Sequence, residues 1–391
     1  MKHNFDELVD RHNTHSIKWE KYDKDENLKD CIPLWIADMD FNVCDVIKDA
    51  IIKRANHQVY GYTSPSDEFY EVIIAWQKNK NNLNITKDSI VLSTGVVYSY
   101  YQIINTLLKD DEKIIITTPA YPPFYNVPNG MKRVVVECPL KQEGINYKFD
   151  FELFEKLIKE DNKIKLFNLC QPYNPLGFEY TLDELNKMCD ICHKYGVYVL
   201  SDEIHSDLML YGNKHISALN VKDSYKDMLI TTFSPTKTFN IAGIKVSYAI
   251  VPDQKLCTTI KDSFHTSGCS DVNVFGLEAL VAGYKRGEEW LDDLLKYIGD
   301  NFNFVDNYLK NNLPKVKFKV PTCTYLGWLD LSEYNLPGNF QELLMKEAKV
   351  EFNPGSSFKW GHKYLRINVA CPRAQLEEGL NRLKCWLDKL A

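Results

Sequence analysis

Thr181-Leu182-Asp183-Glu184-Leu185-Asn186-Lys187-Met188-Cys189-Asp190-Ile191-Cys192-His193-Lys194-Tyr195-Gly196-Val197-Tyr198-Val199-Leu200-Ser201-Asp202-Glu203-Ile204-His205 reads as a helix, a stop and a strand. Thr181 and Glu184 have the spacing of a capping box, in which hydroxyl and carboxylate each satisfy a free backbone N–H. Leu182, Leu185, Met188, Cys189 and Cys192 recur at helical spacing, and Gly196 supplies a left-handed stop. Val197–Ser201 is short, apolar and rich in β-branched residues, as a strand covered on both faces should be. A polar run, Asp202-Glu203-Ile204-His205, follows immediately. Cys189-Asp190-Ile191-Cys192-His193 also has the spacing of a c-type haem attachment site, and its first four residues match a redox dithiol. On the apolar face of a capped helix, both thiols read instead as core.

The alternation extends in both directions. Upstream, Ser89–Ser93 predicts a strand and about Val96–Leu108 a helix. Strands follow at Lys113–Thr117, Arg133–Glu137 and Lys165–Cys170. Downstream come Met228–Phe233 and Lys245–Val251. Short, continuously apolar strands separated by helices indicate an α/β fold with a mainly parallel, seven-stranded sheet between helices. The last hundred residues differ: a long helix over about Glu288–Asn311, three strands (Lys315–Val320, Tyr325–Leu331, Tyr364–Val369) and a helix over about Arg373–Leu390 predict a small α+β domain. The division expected is 1–49 as an N-terminal segment packing with the small domain, 50–285 as the large domain and 286–391 as the small one.

Composition narrows the function. A chain of 391 residues that is 45% hydrophobic, 26% charged and 13% aromatic can bury a sizeable core and is not disordered. Lysine and arginine total 47 against 53 acidic residues, a formal charge of −6. That balance argues against nucleic acid or an anionic membrane as the main partner. Met1–Glu7 has no apolar core and predicts no signal peptide, and no run suits a membrane span. Eleven scattered cysteines then read as reduced residues of a cytoplasmic protein, with no disulfide framework and no metal site.

In such a sheet ligands bind beyond the carboxyl ends of the strands. Those ends read Ser93-Thr94-Gly95-Val96-Val97, Thr118-Pro119-Ala120-Tyr121, Gln171-Pro172-Tyr173-Asn174-Pro175, Ser201–His205 and Phe233-Ser234-Pro235-Thr236-Lys237-Thr238. There is no G-x-G-x-x-G, P-loop, H-E-x-x-H or G-x-S-x-G, so dinucleotide enzymes, P-loop NTPases, zinc proteases and serine hydrolases lose their main signatures. What remains is a polar set around Lys237. A lysine aimed into a cleft is costly to desolvate, and a covalent Schiff base removes that cost.

Asn174-Pro175-Leu176-Gly177, Ser201–His205 and Ser234-Pro235-Thr236-Lys237-Thr238-Phe239-Asn240-Ile241-Ala242-Gly243 together resemble the fold-type-I pyridoxal-phosphate enzymes of aminotransferase class I/II. The chain looks most like their cystathionine β-lyase or C–S lyase branch, the MalY/PatB type. Matching stretches include Pro33–Phe41, Tyr60-Gly61-Tyr62-Thr63, Asp67–Tyr70, Tyr121–Phe124, Asp202–Leu208 and Arg366-Ile367-Asn368, spread from about residue 5 to 375. The resemblance implies pyridoxal 5′-phosphate (PLP) as cofactor, Lys237 as its covalent anchor and as the base at Cα, and Asp202 on the pyridine nitrogen. It implies Asn174 and His205 on the ring 3-oxygen and Tyr121 stacked on the ring. Gly95, Val96, Val97, Ser234 and Thr236 would hold the phosphate, and Arg366, with Asn174 and Ala37, the amino-acid substrate. Tyr60 would reach the phosphate of a neighbouring subunit, which implies a homodimer with shared sites.

Two positions depart from that pattern. Lys245 stands where many relatives place a phosphate-binding arginine, and keeps the charge without the fork. Tyr98 stands where the branch more often has proline. The reaction expected is α,β-elimination from cystathionine or a related cysteine conjugate, giving a thiol, pyruvate and ammonia. The alternative is an aminotransferase on the same scaffold. From a different class comes a regulatory role, binding a transcription factor, which some members of the branch have.

Overall fold

The computed structural model describes residues 2–390. Its centre is a seven-stranded sheet built from β1 (Ile90–Ser93), β2 (Lys113–Thr118), β3 (Val135–Pro139), β4 (Ile164–Cys170), β5 (Tyr198–Asp202), β6 (Leu229–Phe233) and β7 (Ser247–Ile250). The order is β1-β7-β6-β5-β4-β2-β3, with β7 antiparallel to both its neighbours and every other pair parallel. β4, β5 and β6 are almost wholly buried, as their continuous apolar runs require.

The helices that cover the sheet include α1 (Asp45–Asn56), α2 (Asp67–Asn81), α3 (Val96–Leu107) and α4 (Leu182–Tyr195), with α5 (Pro235–Thr238) a single turn after β6. α4 has the full capping box, and Gly196 closes it at φ +66°. Leu185, Met188, Ile191 and both cysteines are buried on its inner face, each apolar side chain contributing ~1.5–3 kcal/mol. All eleven cysteines are free, and only Cys385 is exposed, with Cys269 half-buried.

Two strands begin later than their sequence suggests. β3 starts at Val135 because Arg133 belongs to a turn, its N–H bonded to Pro128 O at 2.8 Å and its guanidinium to Leu108 O at 3.2 Å. β7 starts at Ser247 because Lys245 is left-handed at φ +55°.

After α6 (Val274–Arg286) and α7 (Glu288–Asn312) a second sheet forms from β8 (Lys317–Phe318), β9 (Leu326–Asp330), β10 (Asn353–Pro354) and β11 (Tyr364–Asn368), in the order β8-β9-β11-β10. The Lys315–Val320 strand shrinks to two residues because Val316 N–H turns back to Leu313 O (2.9 Å). α8 (Arg373–Leu387) ends in a short 3₁₀ turn. The first fifty residues, aperiodic in sequence, include a parallel bridge of Ile32 and Pro33 to Val350 and Glu351. Asn368 N–H then donates to Leu34 O (2.9 Å), setting Trp35–Asp40 against β11.

Candidate active site

Strand register assembles the site. Cys170 pairs with Asp202, and Asp202 with Thr232, so β4, β5 and β6 end level. Gln171 N–H bonds Asp202 O (3.1 Å) and Glu203 N–H bonds Thr232 O (2.9 Å), extending the ladder beyond the strands. Asn174, Asp202, His205 and Lys237 therefore leave neighbouring strands at one edge. Ser234 caps α5, accepting Thr236 N–H at 3.1 Å, which fixes the turn that presents Lys237.

Lys237 Nζ donates to the carbonyl of Ala37, which also accepts Tyr325 Oη–H at 3.0 Å. Burial, together with the Arg366 charge, brings the lysine down to about 8, although Asp38 and Asp202 pull the other way. Asp202 is pushed up to about 7, chiefly by burial and further by adjacent Glu203, against the Ile204 N–H (3.1 Å) and Lys237. His205 falls to about 3 through burial and the Lys237 and Arg366 charges, so it is a neutral imidazole. Its Nδ1 is buried without a hydrogen-bond partner among the described residues.

Arg366 enters from β11. Its Nη1 donates to Asn174 Oδ1 (3.2 Å), and its Nη2 to Trp35 O (2.9 Å) and Asn353 Oδ1 (2.6 Å). Asn353 is its cross-strand neighbour, and the Phe358 ring lies under the guanidinium at 4.9 Å. Burial lowers Arg366 to about 10, and its Nε has no partner among the described residues. Tyr121, pushed up by burial, feels both Arg366 and Asp202. Lys237, Asp202, His205, Asn174, Tyr121, Arg366 and Ala37 thus form one cluster.

The N-terminus of α3 follows the carboxyl end of β1, at the same edge of the sheet as the ends of β4 to β6. Gly95 precedes it, and no side chain caps it, so the first-turn amides of Val96 and Val97 are available to an anion. The nearby hydroxyls are engaged locally: Ser234 Oγ donates to Val246 O (2.6 Å) and meets Thr236 Oγ1 at 2.7 Å. Two further residues lie apart from the cluster. Lys245 is exposed and makes no ion pair among the described residues. Tyr60 is exposed, its hydroxyl on Ala55 O (2.5 Å) and its ring near Phe275 at 5.7 Å.

Residue patterns missed several groups here. Tyr325, Asn353 and the carbonyls of Ala37 and Trp35 reach the site through the N-terminal segment and the small sheet. Asp38, beside Ala37, is held by Arg11 at 2.9 Å, and neighbouring Asp40 by Lys18 at 2.6 Å. A backbone carbonyl carries no residue signature, so only tertiary contact could identify it.

The profile described as aminotransferase class I and II matches residues 29–383, and the chain belongs to that family. Among its relatives is the cystathionine beta-lyase PatB of Bacillus subtilis, 36% identical over 386 residues, covering 98% of this chain and 100% of that protein. A PLP-bound putative aminotransferase from Clostridium difficile superposes with a TM-score of 0.94 at 40% identity, covering 98% of this chain and 99% of the other. A PLP-bound C–S lyase from Staphylococcus hominis does so at 0.92 and 32%, covering 99% and 98%.

Proposed function

We propose that the protein is a PLP-dependent C–S β-lyase that cleaves cystathionine or a related cysteine S-conjugate to a thiol, pyruvate and ammonia. The observation that carries this is the convergence of Lys237, Asp202, His205, Asn174 and Arg366 on one buried edge in a chain similar to PatB and the S. hominis lyase. The donor set suits PLP: a lysine whose protonated form is disfavoured, a buried carboxylate, an unpartnered imidazole nitrogen and an uncapped helix start.

When bound, PLP supplies an electron sink for charge developing at Cα. Lys237 would hold it, and its amine would take the Cα proton and deliver it towards the leaving sulfur. Asp202 would keep a proton on the ring nitrogen, Asn174 and His205 would bond the ring 3-oxygen, and Tyr121 would lie against the ring. The Val96 and Val97 amides would hold its phosphate. Arg366, fixed by Asn353 and Trp35, grips the substrate carboxylate as a fork, and Ala37 lines the same end. Loss of thiolate from Cβ leaves an enamine that hydrolyses to pyruvate and ammonia.

Two finer readings accompany this. The large body over 50–285, the small one over 286–391 and the segment 1–49 are proposed as domains, with Arg366 reaching across. The protein is proposed to be cytoplasmic and a homodimer, the latter because exposed Val59, Tyr60 and Tyr62, together with Val97, Tyr98 and Tyr101 on α3, are apolar side chains that a second copy would cover. Tyr60 and Lys245 would then act across or beside that interface.

Transamination is the second reading, favoured by the aminotransferase description of the C. difficile relative. Incubation with cystathionine alone, assaying pyruvate and free thiol, separates the two. Products without an added 2-oxo acid support elimination; amino transfer only when a 2-oxo acid is supplied refutes it. Borohydride reduction should leave the cofactor on Lys237, and label at any other lysine refutes the anchor.

A further inference from the structure

Behind Asp202 lies a buried charge cluster that the proposed reaction does not use. His215 is buried, with Nε2 2.7 Å from Glu203 Oε2 and Nδ1 in contact with Glu179 Oε1. Glu203 is fully buried, and its Oε1 accepts Ser201 Oγ–H (2.9 Å) and Ala218 N–H (2.8 Å). Glu203 is also the residue next to Asp202, so the strand end buries two consecutive carboxylates. Asp207, half-buried nearby, accepts Thr238 Oγ1–H (2.7 Å) beside Lys237 and Trp76 Nε1–H (2.9 Å). The open side of the same region is a cavity of about 580 Å³ whose rim carries Lys80, Lys214 and Lys296 with Glu288, Asp292 and Asp300.

Consecutive buried carboxylates disfavour each other's charge. Asp202 must be ionised to hold a proton on a ring nitrogen, whereas Glu203 opposes that ionisation. With both ring nitrogens facing carboxylates, His215 is an imidazolium, and Glu203 and Glu179 hold it in that form. We propose that His215 is a positioning residue for the cofactor: by neutralising Glu203 it keeps Asp202 charged and ready for a protonated pyridine nitrogen. This rests on the reading that Asp202 meets that nitrogen.

The test uses PLP as the probe in a Lys237→Ala background, which removes covalent capture and leaves Glu203 as the charged group adjoining Asp202. PLP affinity is measured across pH, because binding weakens as Asp202 gains its proton. His215→Gln exposes Asp202 to an uncompensated Glu203. Affinity should fall about tenfold or more, and the acid midpoint should rise by about a unit. Glu203→Gln keeps every contact: its Oε1 accepts from Ser201 and Ala218, and its Nε2 donates to a neutral His215. Affinity should hold or tighten, with the midpoint lowered. Glu179→Gln, which removes one negative charge from the cluster, should also lower the midpoint and serves if His215→Gln does not fold.

Weaker binding in all three variants with an unmoved midpoint would make the cluster a structural brace and overturn the proposal. So would unchanged affinity in His215→Gln. Absence of pyruvate from the wild-type protein, with these shifts intact, would refute the lyase reading and not this one.

Discussion

Asp202→Asn should stabilise the cofactor-free protein while disabling the loaded one. The carboxyl is raised from 3.8 to about 7 by burial, with adjacent Glu203 adding to the shift. Below the lower value folded and unfolded chains both carry the proton, and ionisation costs nothing. Between the two the folded chain binds the extra proton, so stability falls as pH rises; above the upper value the full penalty is present. That rise corresponds to about 4 kcal/mol, at ~1.4 kcal/mol for each tenfold change in proton affinity. Asparagine keeps the Oδ1 that accepts Ile204 N–H at 3.1 Å and removes the charge, while its new amide donors, costly if left unpaired, make the full electrostatic gain an upper value. Urea unfolding of the apo forms, followed by fluorescence of the seven tryptophans, should show the variant more stable by up to about 4 kcal/mol near pH 8. The gain should fade towards about pH 4, where the wild-type carboxyl is already protonated. A gain of equal size at both pH values, or a loss at the higher one, would refute the burial argument. PLP affinity should drop at least about tenfold in the variant, since the ring nitrogen loses its charged partner.

Arg366→Lys should lower kcat/KM by roughly 30-fold or more, equivalent to ~2 kcal/mol, because an ammonium cannot replace the fork held by Asn174, Trp35 O and Asn353; unchanged steady-state kinetics with intact PLP binding would place the substrate carboxylate elsewhere. Gly177→Ala should cost more than about 2 kcal/mol, since Gly177 sits at φ +67° and a Cβ there would lie 2.4 Å from Pro321 Cβ; thermal unfolding at wild-type temperature would contradict it. A thiol reagent should label exposed Cys385 first, then half-buried Cys269, with the remaining cysteines reacting only on denaturation. Rapid labelling at Cys189 or Cys192 would contradict their burial in α4.

Local chemistry accounts for much that was legible in the sequence. The capping box at Thr181 and Glu184, the stop at Gly196 and the apolar runs of β4 to β6 are short-range features, and each acts within a few residues. They sufficed for the parallel sheet and for placing Asp202 and Lys237 at strand ends. Lys245 shows the limit: its sequence continues a β-branched run, but the chain turns left-handed there, and the strand begins two residues later.

What the sequence determined by itself was therefore the alternating α/β pattern and the strand-end residues, since those depend on propensity, periodicity and motif. What only the tertiary structure decided is who meets whom. The Ala37 carbonyl bonds Lys237 and Tyr325 from opposite ends of the chain, and His215 lies between Glu179 and Glu203. Arg366 reaches Asn174 across 192 residues. The depressed lysine and the raised aspartate follow from that assembly, because desolvation is a property of the packed surroundings and not of the residue.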